Sequence, residues 1–192
     1  MARRKQQNSG MNDAASLVLR TALGGLMAGH GAQKAFGSFD GPGPEGTAGF
    51  MEMLGLKPGK QWAQLAIASE LGGGALTALG LLNPLGPLGV IGSMAMATAT
   101  AHKGKPIWVT SGGAELPVVD MTIALALILS GPDKYSIDRM LGIKLPGWIT
   151  PVGLAGILAA VAYATSQGSA PPEGGDQDEP REELAGNPDA EA

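Results

Sequence analysis

The sequence predicts an all-α protein: a polytopic transmembrane four-helix bundle with a fifth spanning helix. Three observations predict it. Long apolar stretches alternate with Gly/Pro-rich breakers, and only helices or closed barrels satisfy their backbone inside a bilayer. The charged fraction is 16%, and much of that charge lies near the two ends of the chain. Trp62, Trp108 and Trp148 all fall at borders of apolar stretches, where an aromatic belt meets the membrane–water interface.

The elements follow in order. Residues 1–13 form a basic arm, read as cytoplasmic, and 14–142 form the four-helix membrane domain. The first span, Ala14–Phe36, is long enough to cross about 30 Å of hydrocarbon at about 1.5 Å per residue. Residues 37–61 are a Gly/Pro-rich loop whose apolar patch, Phe50-Met-Glu-Met-Leu, reads as a small interfacial helix. The second span runs from Trp62 to Leu82. Asn83-Pro84 breaks it, so the third, Leu85–Ala101, must turn straight back. After a loop at 102–114, the fourth span covers Glu115–Ser130 and stops at Gly131-Pro132.

A mixed-charge connector at 133–147 includes a short surface helix, Tyr135–Leu141. The fifth apolar stretch, Trp148–Ala164 within a segment 143–165, contains Pro151 and either spans or lies on the surface. Residues 166–192, rich in Pro, Gly, Asp and Glu, are expected to be disordered. The basic start could suggest a cleaved signal peptide, but the apolar run after Asp13 is long and ends in His-Gly, not at a small-residue cleavage site.

Orientation follows from the distribution of Lys and Arg. With the N-terminus cytoplasmic, the inner side collects Arg3, Arg4, Lys5, Lys134, Arg139 and Lys144, with Arg20 snorkelling to the inner headgroups. The outer loops hold Lys57, Lys60, Lys103 and Lys105. Gly25-x-x-x-Gly29, Gly72-Gly-Gly74 and Gly86 to Gly92 offer small residues for close helix approach.

Composition excludes several functions. A net charge of −4, set by the acidic tail, argues against a nucleic-acid partner. There is no cysteine, which removes disulfides, thiol redox chemistry and cysteine-ligated clusters.

The candidate site comes from the ionisable residues at membrane depth, which are costly there and mark function by default. His30 and Lys34 close the first span, Glu70 lies early in the second, His102 ends the third, and Glu115 and Asp120 open the fourth. Antiparallel spans bring all six to one leaflet. Counted from the outer ends, His30 lies about 9 Å deep and Glu70 about 12 Å deep, so Glu70 should reach Lys34 or His30. Two readings follow: an ion pair that fixes helix register, or a proton-linked or ligand-binding site. Haem between His30 and His102, or a metal on both with a carboxylate, is disfavoured because His102 stands at a helix edge and no dense ligand motif occurs.

The chain resembles the DoxX family of bacterial membrane proteins over residues 14–142. The resemblance rests on His30-Gly-Ala-Gln-Lys-Ala-Phe-Gly37, the Gly-Pro-Gly loop leading to Thr47-Ala-Gly-Phe50, Glu70-Leu-Gly-Gly-Gly-Ala-Leu, and Leu79-Gly-Leu-Leu-Asn-Pro84. It continues in Gly112-Gly-Ala-Glu115 and Gly131-Pro-Asp-Lys-Tyr-Ser-Ile-Asp138. It implies a four-helix integral membrane protein of the cell membrane. Some members of the family are linked to oxidoreductase complexes, including a thiosulfate–quinone oxidoreductase. His30, Lys34, Glu70 and Glu115 fall on matching motif positions. The chain departs in its fifth span, its acidic tail and Leu116-Pro117, where an aromatic residue is common.

Two functions are therefore expected. One is a membrane subunit of an oxidoreductase-linked complex in redox or oxidative-stress homeostasis, with a quinone between helices near His30 and Lys34 and other complex subunits as partners. The other is a non-catalytic anchor or scaffold that recruits a soluble enzyme to the bilayer.

Overall fold

The computed structural model describes residues 2–167, with side chains placed from Gly10 to Ser166. The described residues are all-helical: α1 (Ala2–Phe36), α2 (Gly43–Met53), α3 (Gly59–Ile67), α4 (Gly73–Leu79), α5 (Leu85–Ala99), α6 (Glu115–Ser130), α7 (Ile137–Leu141) and α8 (Ile149–Gln167). Residues 2–13, expected as a separate arm, continue α1 without a break. The expected interfacial patch at Phe50 lies on α2, and the expected surface helix after Ser130 is α7. Of the disordered tail expected at 166–192, Ser166 and Gln167 continue α8 instead, and the rest, from residue 168 on, lies outside the described residues.

A π turn at Ala68–Gly72 joins α3 to α4. Ile67, Ala68, Gly72 and Gly73 keep right-handed helical dihedrals, so Gly59–Leu79 is one unbroken helical run with a wide turn around Glu70. Such turns insert a residue, redirect the side chains beside them, and are frequent at functional sites. The run ends at Gly80, whose φ of 62° only glycine adopts without strain.

Helix α1 packs along α4 and the π turn and also meets α6; α4 and α6 both pack on α5, and α8 leans on α5 from outside. The main core is Leu23 and Met27 of α1, Val90 and Ile91 of α5, and Ala124 and Leu127 of α6. A smaller one joins α2, α3 and α8 through Met51, Leu56, Ala63 and Ala164.

Glycines set the α1–α4 and α4–α5 distances: Gly74, Gly73, Gly86 and Gly89 lie within the stretches the spacing suggested, but Gly25 and Gly29 of α1 do not take part. A Cβ on Gly25, Gly29 or Gly72 would meet nothing, whereas one on Gly24 or Gly74 would overlap the facing backbone. Gly31 lies against Leu71 in the same way, and Gly73 faces Gly86 and Gly89 of α5. On α1 the seam therefore runs one residue to the side of the expected one, through Gly24 and not Gly25.

Polarity is distributed inside out. Arg20, Glu70, Asp133 and Asp138 are buried, while Leu26, Leu129 and Leu158 are 69%, 79% and 71% exposed. Buried charge with large exposed apolar side chains is the informative departure from a water-soluble pattern. Among the described residues one helix is by itself long and apolar enough to cross a membrane, Ile149–Ser166, and only 6% of it is buried. Helix α1 carries Arg20, His30 and Lys34, the π turn interrupts the second run, and α5 and α6 have 15 and 16 residues.

Candidate functional site

Polar side chains gather at both ends of the bundle. At the first end, the start of α1 meets the turns after α4 and α6. Arg20 donates from Nε to Asp133 Oδ2 at 2.9 Å, from Nη2 to Tyr135 O at 2.9 Å, and from Nη1 to Ala78 O. Ser16 Oγ donates to the same Asp133 oxygen at 3.0 Å, and Tyr135 N donates to Asp133 Oδ1 at 2.8 Å. Arg20 is only 6% exposed, so it does not snorkel to the headgroups as expected. A counter-charge and two carbonyls hold it inside, which offsets the cost of desolvating a guanidinium. Next to it, Asp138 accepts from Leu82 N and Asn83 N, both at 2.8 Å. Those bonds secure the reversal between α4 and α5, where Leu82 has φ 53°.

At the opposite end, of the six expected residues only Lys34 and Glu70 bond to each other among the described residues. Lys34 donates from Nζ to Glu70 Oε2, the contact that depth matching anticipates. The close approach of Gly31 to Leu71 produces it, because it lays the last turn of α1 against the π turn. Glu70 is 5% exposed, and among the described residues its Oε1 accepts no hydrogen bond. His30 is exposed and its Nδ1 lies 3.1 Å from Gln33 Oε1, while Asp120 of α6 is half-buried. His102 lies beyond the end of α5, not on it, and its Nδ1 pairs with Gly112 O at 2.7 Å. Glu115 Oε2 accepts from Val109 N at 2.9 Å. His102 and Glu115 thus both secure the α5–α6 loop. Among the described residues no group of three His, Asp or Glu converges as a metal site would.

Beside the Lys34–Glu70 pair lies a cavity of about 280 Å³, lined by Lys34, Phe50, Trp62, Met96, Ile157 and Val161, among others. Its wall is apolar, drawn from α2, α3, α5 and α8, with the rings of Trp62 and Tyr163 stacked at 6.5 Å. Of the six expected site residues, Lys34 alone borders it. Its few polar neighbours are already engaged: Ser69 Oγ donates to Ala66 O, Ser93 Oγ to Val90 O and Thr100 Oγ1 to Met96 O.

Sequence reasoning missed Asp133 and its hold on Arg20. The signal available was Arg20 itself, a cation near the inner end of α1 that needs a counter-charge once buried, but Asp133 lies past the end of α6, where helical depth does not reach.

Buried charge, an apolar exterior and helices packed through glycine define a helical membrane protein. Residues 15–103 match the DoxX family model, and that match supports a DoxX family protein. The match covers Lys34, Glu70 and the wall of the cavity as far as α5; α6, α7 and α8 lie beyond it. No curated protein and no solved structure matches the chain.

Proposed function

We propose that this protein is a multi-pass membrane subunit of an oxidoreductase-linked complex, and that it holds a lipophilic quinone in the cavity beside Lys34. In this reading α1, the Gly59–Leu79 run, α5, α6 and α8 cross the bilayer with the N-terminus inside. The apolar exterior of those helices supports it, as does the grouping of their ends into two polar layers. The cell membrane is the corresponding location.

The observation that carries the reading is Lys34 bordering an apolar cavity while bonded to Glu70. An ammonium has three N–H donors, so two remain for a carbonyl oxygen. Glu70 holds the ammonium in place. A ring-shaped ligand with two carbonyls and an apolar tail fits such a site, in which a few polar groups orient and an apolar wall binds. The chain's share is to bind and orient. Reduction of the quinone takes electrons from a partner oxidoreductase subunit and protons from water.

Full-length protein purified in mild detergent should yield a quinone on organic extraction. Decylubiquinone should quench the fluorescence of Trp62, and Lys34→Met should weaken that binding roughly tenfold or more, the loss of a charge-assisted hydrogen bond. Absence of both extracted quinone and quenching, with a soluble enzyme still recruited to the membrane, would leave the scaffold reading in its place.

A further inference from the structure

The second large cavity lies at the other end of the bundle, beside the Arg20–Asp133 network. Its volume is about 540 Å³, and its walls include Asn83, Pro132, Arg139, Lys144, Gly147 and Thr150. We propose that it binds the phosphate headgroup of an anionic phospholipid of the inner leaflet, which rests on the multi-pass reading above.

Four observations support this. Arg139 and Lys144 both border the cavity, and neither side chain makes an ion pair or hydrogen bond among the described residues. Asp138 is the one carboxylate in the lining, and both its oxygens are taken by Leu82 N and Asn83 N, so it is turned toward the turn it secures. The Thr150 hydroxyl, on the first turn of α8, stands in the same wall, where the partial positive charge of a helix start also favours an anion. Around the cavity, Met140, Leu141 and Trp148 are exposed. Apolar side chains around a basic recess suit a lipid, whose tails cover the rim while its phosphate enters, and free phosphate would leave the rim bare.

Arg139 and Lys144 are on the surface, so removing them spares the fold. The proposal is tested on full-length, delipidated protein by native mass spectrometry with dioctanoyl phosphatidylglycerol, dioctanoyl phosphatidylcholine and inorganic phosphate as separate probes. Phosphatidylglycerol should be retained over phosphatidylcholine, and Arg139→Gln and Lys144→Gln should each lower that retention roughly fivefold, whereas Lys144→Arg should keep it. Decylubiquinone binding at the opposite end should be unchanged in these variants, which separates a failure here from a failure of the quinone site. Equal retention of the two lipids, or an unchanged preference in the double variant, overturns the proposal. Retention of inorganic phosphate without phosphatidylglycerol overturns the lipid assignment as well.

Discussion

At the scale of single residues, the two buried ion pairs do different things. Asp133 accepts from Arg20, Ser16 and Tyr135 N, and Arg20 has two carbonyls besides, so both carboxylate oxygens and all three guanidinium nitrogens are engaged. Glu70 and Lys34 are under-satisfied by comparison, and they sit beside a cavity. Removing one member of the satisfied pair should therefore cost stability and nothing else. Asp133→Asn leaves a guanidinium buried without its counter-charge, with an expected loss of about 3–5 kcal/mol. Arg20→Met together with Asp133→Leu should restore part of it, as read from unfolding in detergent; an Asp133→Asn protein as stable as the parent would mean that Arg20 is not held as described. For the other pair, Glu70→Gln and Lys34→Met should each destabilise, and the double change should cost less than their sum. Strict additivity would show that the two are not coupled. The Lys34–Glu70 contact was legible because both residues sit at countable depths in opposed helices. Arg20 was not, since a long cation near a helix end can equally well reach water. Its partner stands just past a Gly-Pro break, where depth can no longer be counted.

Elements carry their own lesson. Small residues on α1 and the Gly59–Leu79 run were legible as a packing device, and Gly73 and Gly74 do pack as expected, yet on α1 the face was read one residue off. Both Gly24 and Gly25 belong to an apolar helix with little difference between its sides, so the sequence hardly fixes its rotation. The π turn was equally hidden: backbone winding leaves no mark in an unbroken apolar run, although it redirects the side chains around Glu70. Two neighbouring substitutions separate the faces. Gly24→Ala places a methyl group into Ala78 N and Gly74 O, an overlap that should cost about 1–3 kcal/mol. Gly25→Ala meets nothing and should gain about 0.5–1 kcal/mol from the lower backbone entropy of alanine. Thermal unfolding of the two proteins in one detergent should move in opposite directions. The same shift for both would place the seam elsewhere.

For the whole molecule, all-helical architecture and the limits of α5, α6 and α8 were legible, because Gly/Pro breakers mark them almost to the residue. The fifth apolar stretch, whose crossing the sequence left open, is, among the described residues, the one helix that is long and apolar enough alone. The others are shortened by charge, by the π turn or by length, and the buried charges Arg20 and Glu70 each face a partner outside their own helix. They cross together or not at all, because Arg20, Glu70 and Asp133 find partners only across helices. That makes the arrangement testable with thiol chemistry, since the chain has no cysteine of its own. Phe39→Cys lies after α1, Met140→Cys on α7 and Ser166→Cys near the end of α8, all at exposed positions. In intact cells a membrane-impermeant maleimide should label Phe39→Cys and Ser166→Cys. Met140→Cys should react only once the membrane is opened. The reverse pattern would invert the orientation and keep the crossings. Labelling of Phe39→Cys and Met140→Cys from the same side would remove the multi-pass reading, and the headgroup site of Arg139 and Lys144 with it.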